Sequence, residues 1–379
     1  MAHKITVFPE GNADSLLVEL HDGRKLLFDY ANRHDPEDES NRCVDLAAAL
    51  KERLVAARRD AFDVVAFSHL DGDHIDGATE FFHLRHDPRY QGQDRVKIED
   101  LWVPAALILE EDLKVEEAKV LQAEARYRLV QGRGIRVFSR PELLREWLRR
   151  RGIKLEDRER IITDAGGLVP GFRKEVDGVE FFVHSPFALR QNGELTDRNR
   201  DSLVMQATFN YQGRESRLFL SADSTHQVLT DIVRITRYHR NDDRLAWDVM
   251  KLPHHCSYLS LSDDKGKDVT QPVEDVKTLF ETFGQRRGIM VSTSKPIPSD
   301  DGDDQPPHRQ AANYYKGVAH ASDGEFVVTM QHPKPSRPEP LVITVDGFGA
   351  RVEKAIAAGS SIVTSQNAPR AGRRSPRAG

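Results

Sequence analysis

The sequence predicts a mixed α/β fold, and three observations predict it. Short apolar strands alternate with helix-favouring stretches along most of the chain. One of those strands, Phe62-Asp63-Val64-Val65-Ala66-Phe67, is of the buried kind and runs directly into a loop crowded with histidine and aspartate. Apolar residues make up 39% of the 379 residues and charged residues 30%, which is material for a packed core and excludes wholesale disorder.

The elements follow in order. Ile5, Val7 and Phe8 open a first strand. Ser15–Leu20 and Lys25–Tyr30 flank His21-Asp22-Gly23-Arg24, whose Asp-Gly pair predicts a hairpin. A helix rich in Ala, Leu, Lys and Arg is expected from Asp45 to Arg59. Between 80 and 165 the chain changes character. Helices are expected over Glu110–Val130 and Pro141–Arg151, with strands at Val96–Val103 and Ile135–Phe138, so this stretch reads as an α/β connection enlarged by a helical insertion. Strands return at Val179–His184, Ser202–Phe209, Ser216–Ala222, Trp247–Leu252 and Gly288–Thr293. Helices are expected near His226–Tyr238 and Val273–Phe283, and late strands at Glu325–Met330 and Pro340–Val345. Pro296–Pro307 reads as a solvated loop. The domain is expected to span 1–350, with 351–379 a largely disordered tail of Ser, Ala, Arg, Gly and Pro.

Composition narrows the function. The balance of 55 Lys+Arg against 60 Asp+Glu gives a net charge of −5, which excludes a globally basic nucleic-acid coat but not a local patch. Two cysteines, Cys43 and Cys256, exclude a disulfide-stapled scaffold and a four-cysteine zinc site. No apolar run approaches the ~20 residues of a membrane span, and no leader pattern opens the chain. The expectation is a cytoplasmic protein with no membrane association. Gly-x-Ser-x-Gly and Gly-Lys-Ser/Thr phosphate-loop patterns are missing, which disfavours a serine hydrolase and a P-loop nucleotidase.

The chemistry concentrates at His69-Leu70-Asp71-Gly72-Asp73-His74. Two imidazoles and two carboxylates within six residues, just past a buried strand, suit zinc, manganese or iron. Gly72 lets the backbone turn so that side chains two apart face one centre.

This strand followed by His-x-Asp-x-Asp-His resembles the His-x-His-x-Asp-His signature of metallo-β-lactamase-fold hydrolases. The Asp in the second slot resembles the soluble C-terminal domain of ComEC-type DNA-uptake proteins. Five further blocks agree in order: Gly11-Asn12-Ala13-Asp14-Ser15 with the strand ending in Asp29, Asn199-Arg200-Asp201-Ser202-Leu203-Val204, Leu218 to Asp223, Met250-Lys251-Leu252-Pro253-His254-His255-Cys256-Ser257, and Pro307-His308. The resemblance spans about residues 4–330 and implies a metallo-β-lactamase-like four-layer αββα sandwich with a helical insertion. It also implies two divalent metal ions, zinc or manganese. His69 and Asp71 would serve the first, Asp73 and His74 the second, and Asp223 would bridge them. His255 would close the second pocket. Asn199 aligns with the remaining first-pocket ligand, and His184 is available as a possible metal ligand. Asp73, His254, His308 and Lys251 are the expected catalytic residues, with Lys251 and His254 near the substrate's anionic group. Cys256 stands where the resembled motif has Gly.

The reaction implied is hydrolysis by metal-activated hydroxide, with a phosphodiesterase or nuclease leading. Arg145, Arg149, Arg150, Arg151 and Lys154 could track a phosphate backbone, which makes nucleic acid or a nucleotide the expected substrate. A hydrolase of small esters, lactones or thioesters, and a non-catalytic metal-binding module, are the alternatives.

Overall fold

The computed structural model describes residues 2–188, 198–300 and 304–353. Two β-sheets lie face to face, with helices on the outer face of each. The first sheet has nine strands. Its strands are β1 (His3–Val7), β2 (Leu16–Glu19), β3 (Lys25–Phe28), β4 (Ala61–Ala66), β5 (Lys97–Pro104), β6 (Ile135–Phe138) and β7 (Ile162–Thr163). The second has six: β8 (Val179–Ser185), β9 (Val204–Tyr211), β10 (Arg214–Leu220), β11 (Trp247–Lys251), β12 (Gly284–Ser292) and β13 (Glu325–Val328). After a short pair, β14 (Pro333–Lys334) and β15 (Arg337–Pro338), the chain returns to the first sheet as β16 (Leu341–Asp346) and β17 (Gly349–Val352), with β16 pairing β1.

The four layers follow from alternation along the strands, because successive side chains on a strand point to opposite faces. Val64, Trp102, Leu218, Val249 and Ile289 fill the space between the sheets. Their strand neighbours Val65 and Leu101 meet the helix Leu46–Ala56 and the helix Glu116–Gln131 on one outer face. Phe219, Met250 and Met290 meet the helices His226–Tyr238 and Arg309–Ala321 on the other. This is the αββα sandwich expected of the sequence.

Three differences matter. In the 80–165 stretch the two expected strands form as β5 and β6, but a third, β7, was not expected; together they extend the first sheet, and Glu116–Gln131 and Glu142–Arg149 cover them. The chain is still in sheet past 350, because β17 pairs β16 in a hairpin that the apolar pattern left unmarked. Residues 354–379 lie outside the described residues, and so does the expectation of a disordered tail there. The expected basic stripe is largely internally paired. Arg145 meets Glu142 and Glu156, Arg150 meets Glu146, and Arg151 stacks on the Trp147 ring.

The sheets position the site. β3 to β6 run parallel, and so do β10 to β13. Loops leaving the C-terminal ends of β3, β4, β10, β11 and β12 therefore emerge at one edge. In open parallel sheets that edge is where ligand sites form.

Candidate metal centre

Three loops build the centre. The loop after β4 carries Ser68 to His74. Asp73 and His74 sit in the short helical turn Gly72–Ile75 that Asp71 precedes. The loop after β10 carries Asp223. The loop after β11 carries His254, His255 and Cys256, all with positive φ (47°, 52° and 67°). Three consecutive non-glycine residues in the left-handed region are strained, and such strain collects at functional sites. It also explains the glycine of the resembled motif: Cys256 adopts a backbone conformation that glycine takes without cost. The loops are knitted by the Asp14 N–H donating to the Asp73 carbonyl (2.9 Å) and the His254 N–H donating to the Ala222 carbonyl (3.1 Å).

Asp73, His74, Asp223 and His255 each offer a ligand atom, and all four atoms lie within 4.8 Å of one another. His255 Nε2 is 3.1 Å from Asp73 Oδ2 and 3.5 Å from Asp223 Oδ2. His74 Nε2 is 3.3 Å from Asp223 Oδ1. Both His74 Nε2 and Asp223 Oδ1 are buried without a hydrogen-bond partner. A buried polar atom left so is costly, and a cation between these four atoms satisfies both. Two imidazoles and two carboxylates also match zinc or manganese in donor chemistry. The residues present fit one divalent ion.

The far side of each imidazole is held. Asp29 Oδ2 lies 2.9 Å from His74 Nδ1, and the Thr293 carbonyl lies 2.8 Å from His255 Nδ1. These contacts place the proton on Nδ1 and turn Nε2 toward the centre, as partners of metal-bound histidines do. Ser68 fixes Asp29 in turn, through its N–H and its hydroxyl at 2.7 Å each.

The charges balance internally in the absence of metal. Burial opposes ionisation of Asp223, but His255, His74 and Lys251 outweigh it and hold the carboxyl well below the usual range. Burial likewise opposes charge on His74, but Asp223 and Asp29 raise its pKa well above the ordinary value. Asp73 is depressed by His255 and His74 against its own burial.

Lys251 does not face substrate as the motif suggested. It is 4% exposed, and its ammonium pairs with Asp14 and lies 3.8 Å from Asp223 Oδ1. It also donates to the Ala222 carbonyl at 3.1 Å. Burial works against that charge, but Asp14 and Asp223 raise its pKa, so it is a permanent cation beneath the centre. Asp14, Asp29 and His74 Nδ1 have metal-like spacing too. Lys251 supplies the positive charge there, and Nδ1 is committed to Asp29.

The expected first pocket is poorer. His69 Nε2 is 3.5 Å from Asp71 Oδ2, and the His69 ring lies 4.0 Å from the His74 ring. Asp71 Oδ1, however, takes the guanidinium of Arg198. Asn199 follows in the same turn, where its carbonyl accepts from the Ser202 hydroxyl (2.9 Å). Among the described residues, no convergent group of three or more His, Cys, Asp or Glu donors includes His69 or Asp71. His69 Nε2 is buried without a hydrogen-bond partner, as His74 Nε2 is, but the carboxylate beside it is already paired with a cation.

Three other histidines separate clearly. His254 is at the mouth, with its side chain 23% exposed and Nε2 4.0 Å from Asp223 Oδ2. His308 turns both ring nitrogens to the backbone: Nδ1 accepts from the Tyr258 N–H (3.3 Å), and Nε2 is 3.2 Å from the Asp304 carbonyl. It supports the His254–Cys256 loop, its backbone N–H donating to the Cys256 carbonyl at 3.1 Å. His184 is not brought to the centre. It stacks on Phe219 in the second sheet, with Nε2 2.9 Å from the Arg244 carbonyl. Burial drives its pKa down to about 3, so it is neutral packing. Cys256 is equally inert, its thiol pushed up to about 12 by burial.

Asp14, Arg198 and Glu110 were not singled out as site residues by sequence. Asp14 carried a signal in its Gly-Asn-Ala-Asp-Ser block; Arg198 and Glu110 carried none.

No protein-family model matches the sequence, and no curated protein matches it. Among solved structures, a protein of Parabacteroides distasonis assigned to the metal-dependent hydrolases is similar at 10% identity and a TM-score of 0.36, over 86% of this chain and 93% of that one. A diphosphatase of the PhnP family is similar at 12% identity and a TM-score of 0.33, over 82% of this chain and 96% of that one. At such low similarity neither bears on what the site does.

Proposed function

We propose that this chain is a metal-dependent hydrolase of phosphodiesters. The observation that carries the metal-dependent part is the convergence of Asp73, His74, Asp223 and His255, with buried ligand atoms left unpartnered and aimed at one point. The phosphodiester part rests on the resemblance of the sequence blocks. A divalent ion held by these four side chains would supply Lewis acidity and would make water nucleophilic near neutral pH.

The residues do the rest. Asp29 and Thr293 keep both imidazoles in the tautomer that presents Nε2. Lys251 keeps Asp223 ionised from below. Asp73 is the most exposed of the four ligands, its side chain 29% accessible, and is placed to hold an attacking water by its open edge. His254, at the mouth, is the imidazole placed to carry a proton to the leaving oxygen. Zinc and manganese are both compatible with the donor set.

The test is incubation of metal-loaded protein with bis-para-nitrophenyl phosphate and with single-stranded DNA, duplex DNA and RNA, under Mn²⁺ or Zn²⁺. Cleavage that EDTA abolishes and Asp223→Asn removes is expected. Turnover of para-nitrophenyl acetate or a lactone, with every phosphodiester untouched, would overturn the substrate class.

A further inference from the structure

Arg198 stands in the place where a second cation was expected. Its Nη1 meets Asp71 and lies 3.4 Å from the Leu70 carbonyl. Its Nε and Nη2 each lie 2.7 Å from Glu110 Oε1. Glu110 caps the C-terminal end of the helix Ala105–Leu109, so the 80–165 stretch reaches the centre through this carboxylate. Arg198 itself comes from the turn that leads into β9.

We propose that the Arg198 guanidinium replaces the first metal ion. The centre then loads a single divalent ion, at Asp73, His74, Asp223 and His255, and the neighbouring positive charge belongs to the chain. This rests on the metal-dependent reading above and sharpens it.

Three observations carry the proposal. Asp71, the carboxylate expected to bind the first ion, already holds a cation. That cation is fixed from its other side by Glu110, a second carboxylate with no part in the metal cluster, so the pairing is a built clamp rather than one surface contact. Two-sided engagement of a planar guanidinium is geometrically specific in a way that a lysine contact is not. Finally, the second pocket needs nothing from Asp71: Asp73, His74, Asp223 and His255 already supply four donors, the number a zinc site commonly uses. An ion entering beside His69 would meet a guanidinium on its principal carboxylate, and like charges at contact distance repel.

The experiment counts ions. Full-length wild type, Asp71→Asn and Arg198→Ala are each stripped, loaded with Mn²⁺ or Zn²⁺, and measured by elemental analysis and titration calorimetry. Wild type should bind one equivalent. Asp71→Asn should still bind one. Arg198→Ala, with Asp71 released, should take up a second equivalent at millimolar Mn²⁺. Two equivalents in wild type, falling to one in Asp71→Asn, would overturn the proposal and leave the metal-dependent reading standing. A single equivalent in Arg198→Ala would show that the guanidinium is not what excludes the second ion. Zero equivalents in wild type would sink both readings. Circular dichroism of each variant guards against counting an unfolded protein.

Discussion

The two halves of the His69–His74 loop began with similar chemistry, one imidazole and one carboxylate each, and the fold treats them oppositely. Asp73 and His74 are met by Asp223 and His255 from the other sheet, and their ligand atoms converge. His69 and Asp71 are met by Arg198, a cation already in place. What decides between a metal pocket and an ion pair is therefore not the motif. It is what the opposite loop brings. A carboxylate and an imidazole from the second sheet make a cation site, whereas a guanidinium from the turn before β9 closes one.

That contrast can be broken or sharpened by mutation. The largest effect belongs to Asp223→Asn, which removes the carboxylate that both converging imidazoles face. Hydrolysis should fall by about 10³-fold or more, since the ion supplies several kcal/mol of charge stabilisation. Metal content by elemental analysis should fall with it. An Asp223→Asn protein that retained both would show that the convergence is fortuitous.

Asp29→Asn acts one step back. It leaves all four ligand atoms but removes the acceptor that holds His74 Nδ1–H. Metal affinity should weaken by about 10- to 100-fold, the usual effect of losing such a partner. Competition with a chelator measures it. His69→Ala, on the other half, should leave the affinity of the filled pocket within a few-fold in the same assay.

The pH dependence separates the two states of the filled half. Without metal, burial opposes charge on His74 and His255, but carboxylates raise both. A raised imidazole contributes stability that is full below about pH 6.5 and lost as pH rises through the folded value. Metal binding requires those protons to leave, so affinity rises in the same window. The difference in Tm between loaded and metal-free protein should widen by several degrees from about pH 6 to about pH 8. A difference that narrowed would mean the imidazoles are not ligands.

The smallest effect on the centre is expected from His184→Gln. His184 and His74 are both fully buried, yet one sits against Phe219 and the other among carboxylates. The substitution should cost about 1–3 kcal/mol in denaturant unfolding by loosening the contact to the Arg244 carbonyl. Metal content should not change.

The same pair of histidines shows why some of the site was legible in the sequence and some was not. The His69–His74 cluster could be read because its donors are contiguous and follow a buried strand. Asp223 and His255 could be placed because the blocks that carry them, each just past a strand of apolar pattern, resemble the family's. The mixed α/β class was legible in the strands that alternate with helix-favouring stretches, whereas the four-layer arrangement was implied only by the resemblance of the sequence blocks. His184 was not: one imidazole on an apolar strand looks alike whether it binds metal or packs against phenylalanine. Lys251 was misplaced because the motif records its position beside the centre but not whether its ammonium points out to substrate or down to Asp14. Arg198 and Glu110 lie 88 positions apart. An ion pair that distant leaves no periodic mark, and each residue alone reads as ordinary surface charge. The pairing of the Arg145–Lys154 stretch was illegible for the converse reason. Its charges are close in sequence, but Glu142, Glu146 and Glu156 fold back onto them.

The central claim is that Asp73, His74, Asp223 and His255 hold a divalent ion. Anomalous diffraction from crystals grown with Mn²⁺ or Zn²⁺ tests it most directly. A single strong peak within about 2.0–2.3 Å of His74 Nε2, His255 Nε2 and the Asp73 and Asp223 carboxylates is the predicted result. Diffraction from metal-saturated crystals with no anomalous peak among those four side chains would contradict it.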